Sequence, residues 1–309
     1  MRLLEIPEAK IKRYMPENLS ECNSEQYMAM SKLIFKYQSG KITYEDLKIH
    51  AVYKLLKMRV SKRKLGVDDE FNKLSNLVLL SDLVESFFET NEQGQKIILQ
   101  NYTNNPVPKI TPLLTTYYGP TNHFNNVTFG EYTDALRLFL SFSATGDLQF
   151  LYLMAAVFYR EKKSFHFIKK IQSDYDGDKR QPYNSKLIDQ RAEKFKKADV
   201  GFIFGVYLLF SSFQKYITTA NIFWGGKQLD LSILFENPEK QDQETPPENI
   251  PGIGMDSLLF TMAESGIFGT LDQVNKTNMW QIFVRMYDLR KRDLDNLENE
   301  KNNANSPKT

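Results

Sequence analysis

The feature that most restricts how this chain can fold is a pattern that occurs twice. Residues 26–54, QYMAMSKLIFKYQSGKITYEDLKIHAVYK, can be set beside residues 131–160, EYTDALRLFLSFSATGDLQFLYLMAAVFYR, so that Tyr27 faces Tyr132, Leu33 faces Leu138 and Tyr37 faces Phe142. One inserted residue before the turn then brings Gly40 onto Gly146, Leu47 onto Leu153, and Val52-Tyr53-Lys54 onto Phe158-Tyr159-Arg160. Each copy continues with a charged link, a helical stretch with phenylalanine near both ends (DEFNKL to ESFFE; EKFKKA to SSFQKY) and a segment of strand character. Self-similarity of this kind is the mark of a duplicated supersecondary unit. The agreement is by residue class and order more than by identity, so a chance convergence of amphipathic helices is the competing reading.

Within each copy the elements follow from local rules. SEQYMAMSKLIFKYQ opens on a capping serine, Ser24, and spaces Tyr27, Met30, Ile34 and Tyr37 for one helical face. A turn at Gly40 follows. ITYEDLKIHAVYKLLKM starts from Thr43 with Asp46 three residues on, a capping-box spacing. DDEFNKLSNLVLLSDLVESFFE is acidic where a helix N-terminus favours negative charge and apolar along its length. KIILQNYTNNPVPKITPLLTTYYG carries β-branched and aromatic runs broken by Asn-Asn-Pro and reads as a strand or hairpin. In NIFWGGKQLDLSILFE, Gly225-Gly226 is a tight hairpin turn. The most apolar window, VGFIFGVYLLFSSF at 200–213, is shorter than the roughly 20 residues of a membrane span and reads as a core helix.

The expected fold is mainly α with minor β: two similar helical modules produced by internal duplication, each followed by a short strand or hairpin, plus a C-terminal helix pair. The corresponding boundaries are 1–126, 127–236, a proline-rich linker at 237–253, the helix pair at 254–298 and a disordered tail at 299–309. The last helix gathers Met279, Ile282, Phe283, Met286 and Leu289 on one stripe, with Trp280 beside it. Methionine-rich helical faces adapt to varied apolar partners. Met279, Trp280, Ile282, Phe283 and Met286, behind a linker that lets them dock or release, are therefore the candidate partner-binding residues, with packing onto the second module as the alternative.

Charge and motif content narrow the function classes. Forty Lys and Arg against 38 Asp and Glu leave a net charge of +2, which supplies no global field toward nucleic acid or membrane. The single cysteine, Cys22, cannot form an internal disulfide and fits a reducing compartment. The N-terminus has no apolar stretch of signal-peptide length.

The loop SDYDGDKRQPYN is the nearest approach to a metal motif. Counting Asp174 as position 1 of a calcium loop puts Lys179 where the glycine belongs and Ser185 where the closing glutamate belongs, so no calcium site is expected. It reads instead as a polar connection whose following helix starts from Asn184 or Ser185. His50, His123 and His166 lack zinc spacing, and no phosphate-binding glycine loop or GxSxG elbow is present. The expectation is a protein that is not an enzyme, with no catalytic residues, cofactor, metal or small-molecule substrate. MRVSKRK at 58–64 is the one basic run that could meet phosphates, and it reads as a solvated link.

FGEYTDALRLFLSF and AAVFYR, RQPYNSKLIDQRAEKFKK, LDLSILFE and LLFTMAESGIFGTLDQVNKTNMWQIF resemble segments of proteins encoded near tail components in phages and prophages of the Bacteroidota. The resemblance covers most of the chain and rests on structural anchors, not catalytic residues. It implies a tail-assembly factor in the cytoplasm of the bacterial host, such as a chaperone shielding an apolar tape-measure-like protein, with phage tail or other virion proteins as partners. A structural part of the virion at the neck or tail end is the first alternative. An intracellular nucleic-acid-associated or regulatory module is the second.

Overall fold

Short polar side chains placed just before apolar stretches set most helix starts. The computed structural model describes residues 1–6, 11–58, 67–166, 171, 177–219, 221–235, 260 and 262–304. It is mainly helical, 59% helix and 13% strand, with several small antiparallel sheets. Helix α1 (Ser24–Gln38) is capped by Asn23, one residue before the expected serine, because Asn23 and Gln26 exchange both hydrogen bonds of a capping box. Thr43 and Asp46 do the same for α2 (Tyr44–Leu55). Helix α3 (Val67–Asp82) follows. Thr128 caps α4 (Phe129–Thr145), which ends at Gly146 in the left-handed region at φ +70°, where a side chain would be strained. Asp147 caps α5 (Leu148–Phe158). A single turn at Ser185–Leu187, capped by Asn184 as expected, leads into α6 (Ile188–Phe195).

The remaining helices are α7 (Val200–Thr219), α8 (Leu271–Lys276) and α9 (Met279–Ala304). Helix α7 runs beyond the 200–213 window and reaches 20 residues, long and apolar enough to cross a membrane by length and composition, and 67% of its apolar stretch is buried in the fold. Helix α9 continues to Ala304, so the expected tail at 299–309 begins as helix. The linker at 237–253 and residues 59–64 of the basic run at 58–64 lie outside the described residues.

The β content is local. Strands β1 (Arg2–Ile6) and β2 (Ile11–Met15) form a hairpin. The strand-like stretch after residue 95 is divided: β4 (Lys96–Ile98) pairs back with β3 (Phe88–Thr90), while β5 (Lys109–Ile110) pairs with β6 (Tyr117–Tyr118). A third strand, β7 (Arg160–Glu161), joins β6 from the other half of the chain. Strands β8 (Asn221–Trp224) and β9 (Lys227–Asp230) flank the expected turn, where Gly225 and Gly226 both have positive φ.

Helix α7 is the spine of the core. Its ring ladder of Phe204, Tyr207, Phe210 and Phe213 meets Phe139, Phe142 and Tyr132 of α4 and Phe124. Across its other side lies α1. Gly201 and Gly205 sit one turn apart where the two helices touch, and a β-carbon at Gly205 would come within 2.8 Å of the Tyr27 ring. Small residues at this spacing let backbones approach closely. The Tyr27 hydroxyl donates to the Gly205 carbonyl at 2.7 Å and sits 2.9 Å from the Tyr102 hydroxyl. Helix α1, near the start of the chain, thus packs on α7, well past its midpoint. One buried cluster runs from Met15 to Phe283, and the expected boundary between residues 126 and 127 passes through it.

Candidate protein-binding surface

The C-terminal stripe is part of this core, which corrects its assignment as an exposed partner-binding face. Met279, Trp280, Ile282 and Phe283 are buried, and the half-buried Met286 packs on the same cluster. The cause is a backbone seam: the Phe129 N–H donates to the Thr277 carbonyl at 2.8 Å and the Met279 N–H to the Val127 carbonyl at 3.1 Å. This seam lays the start of α9 along α4. Trp280 then donates its indole N–H to the His123 carbonyl at 3.0 Å, and Phe283 stands edge-on to Tyr132 with ring centres 5.0 Å apart. Of the two readings, packing onto the fold holds for these residues.

A cleft of about 1160 Å³ opens beside the seam, and at its base is the densest set of buried charges in the described residues. Glu131, from the first turn of α4, faces the guanidinium groups of Arg160 at 2.9 Å and Arg180 at 3.2 Å. Asp178 holds Arg180 at 2.9 Å and lies 3.6 Å from Arg160. The contacts to Glu131 are close ion pairs without hydrogen-bond alignment. Arg180 also donates to the carbonyls of Phe158 and Asn126, and Arg160 to those of Val157 and Gln181.

Burial pushes the Asp178 carboxyl up, yet Arg180 and Arg160 outweigh it and leave its pKa below the usual carboxylate range. For Arg160 burial dominates and its pKa falls, while for Arg180 the two carboxylates reverse that effect and raise it. Two carboxylates and two guanidiniums cancel, and the remaining donors are taken up by backbone. This is a clamp joining α4, β7 and residues 178–181, and taking one member away leaves a charge buried without compensation. Of the aspartates weighed as calcium ligands, Asp178 is committed to arginine; Asp174 and Asp176 lie outside the described residues. Among the described residues no group of three or more His, Cys, Asp or Glu is placed to hold a metal ion.

The surface that lacks a structural explanation is α3. Leu77 and Leu80 pack on the core, and the buried Ser81 returns its hydroxyl to the Val78 carbonyl at 2.7 Å. On the outer side Leu74, Val78 and Leu79 are 58%, 48% and 63% exposed. Leu74 and Val78 are one helical turn apart and share a face, while Leu79 stands about 100° further round the same outer side of the helix, beyond Ser75 and Asp82. The end of α3 is fixed in place by Lys48 of α2, itself buried, whose ammonium lies 3.5 Å from Asp82 and 3.4 Å from Glu85. A solvent-facing helix normally turns a polar face outward, and one that is apolar all round is normally covered on all sides. The sequence carried the signal in NLVLLSDLV, four consecutive apolar residues, more than one buried stripe needs. A second exposed apolar pair, Phe223 and Trp224, stands at the β8–β9 turn.

No protein-family model, curated protein or solved structure matches this chain.

Proposed function

We propose that the protein is a non-enzymatic assembly factor that covers an apolar helical segment of another protein, in the manner of a phage tail-assembly chaperone acting on a tape-measure-like chain in the host cytoplasm. The observation that supports it is the outer side of α3: Leu74 and Val78 exposed on one face and Leu79 exposed further round, on a helix whose inner face is already satisfied by the core. Exposed apolar groups collected on one element mark protein contacts more often than scattered ones do. An amphipathic or wholly apolar helix laid along such a face buries it by the helix-in-groove mode.

The resemblance to tail-region proteins supplies the kind of client, and co-expression tests it. A tape-measure protein from the same phage genome should be soluble when made with this chain and should aggregate when made alone. Equal solubility in both cases ends the proposal.

We also propose that the two helical regions descend from a duplication. What supports it is the shared order of a capped helix, a left-handed glycine (Gly40 at φ +66°, Gly146 at φ +70°) and a second capped helix, with Tyr27 and Tyr132 both buried in the first turns. An experimental structure in which residues 24–56 and 129–159 have opposite crossing senses would remove that support.

A further inference from the structure

We propose that this chain binds a second copy of itself head to tail, the exposed end of α9 of one copy lying in a basic groove between α1 and α2 of the next. Beyond its buried first turns α9 leaves the body of the protein: from Lys291 to Glu300 every residue except Leu294 is exposed. At about 100° per residue, Leu294 and Leu297 fall on one side, with Asp293 and Glu300 along one flank and Glu298 along the other. Asp293, Glu298 and Glu300 make no close ion pair among the described residues, Glu298 acting on Lys291 only at longer range, whereas the cations Lys291 and Arg292 are engaged by Asp295 and Asp288 of the same helix. The free end of the helix is therefore a narrow apolar stripe between unpaired carboxylates.

The groove is its complement. It encloses about 470 Å³, with Met28, Leu33 and Ile42 in its lining, and Lys36, Lys54 and His50 bordering them. Its own two carboxylates are already neutralised, Glu25 by Lys57 at 2.6 Å and Asp199 by Lys32 at 2.7 Å. Lys36 and Lys54 make no close ion pair among the described residues, Lys54 acting on Glu25 only at longer range. Apolar side chains bordered by unpaired cations match leucines bordered by unpaired carboxylates, and such complementarity selects partner and orientation. Because the two surfaces differ, the contact is heterologous, and repeating it yields a ring or an open filament. This contact is independent of the client proposed for α3.

A charge exchange on the full-length chain tests it. One variant carries Asp293→Lys, Glu298→Lys and Glu300→Lys; the other carries Lys36→Glu and Lys54→Glu. In sedimentation velocity at low salt the unmodified chain should associate with rising concentration and dissociate as salt is raised. Each variant alone should weaken association at least tenfold, about 1.4 kcal/mol. Mixing the two in equal amounts should restore association, since each reversed surface meets a reversed partner. Three results overturn the proposal: a monomer throughout for the unmodified chain, a groove variant that associates as the unmodified chain does, or a mixture no more associated than its components. Circular dichroism of each variant, matching that of the unmodified chain, keeps misfolding from passing as loss of contact.

Discussion

Gly201 lies so close to the main chain of Met28 that a β-carbon on it would stand 2.1 Å from the Met28 carbonyl oxygen. No rotamer change relieves a contact with backbone, so the α1–α7 crossing depends on the absence of a side chain there. Gly201→Ala should force the helices apart and cost about 1–3 kcal/mol, the range for overpacking a filled core. Chemical denaturation reads this directly, and an unchanged midpoint would show that the crossing is looser than described.

The buried clamp predicts a specific acid sensitivity. The pKa of Asp178 is below its unfolded value, so its stabilising contribution is complete above about pH 4 and is lost as pH falls toward the folded value. Asp178→Asn should cost about 3–5 kcal/mol at pH 7, because Arg180 and Arg160 stay buried with Glu131 as the one carboxylate left between them. The same variant should show a shallower fall in stability below pH 4 than the unmodified chain. Parallel acid profiles would contradict the pairing.

Phe283 and Met286 belong to the fold, and their replacement should show it. Phe283→Ser with Met286→Ser removes a ring packed against Tyr132 and Trp280. Losing a buried aromatic side chain costs about 3–5 kcal/mol. The melting temperature of the isolated protein should fall sharply. Unaltered melting would return the stripe to the surface.

Burial pushes the Cys22 thiol up to about 12, with Glu21 adding to the effect. Thiol reagents attack the thiolate, so the native protein should react far more slowly with a disulfide reagent at pH 8 than the protein unfolded in guanidinium. Equal rates would place Cys22 at the surface.

Local chemistry made the helical elements legible in the residues. The Thr43–Asp46 box, the start at Asn184 and the Gly225-Gly226 hairpin depend on neighbours within four positions, and they appear where those neighbours predict. The misassigned stripe at Met279–Met286 shows the limit: periodicity identifies an apolar face but not what covers it, and the covering element, α4, lies more than a hundred residues away. The clamp was hidden for the same reason. Glu131, Arg160, Asp178 and Arg180 read as ordinary charges until the fold brings them together. The α3 patch was partly visible, since NLVLLSDLV has more apolar residues than one buried face requires, although the excess could be recognised only once Leu77 and Leu80 were seen to take the core side.

The proposed binding role of α3 is tested most directly by titrating the full-length protein with an apolar helical segment of the proposed client, a phage tape-measure-like chain, beside Leu74→Ser with Leu79→Ser. Both leucines are exposed, so the double variant should melt with the unmodified chain, within about 0.5 kcal/mol for each site. Its affinity for the segment should fall by tenfold or more, about 1.4 kcal/mol or greater. Undiminished affinity in a folded variant would contradict the account, as would a variant that loses its stability, since these side chains would then belong to the core.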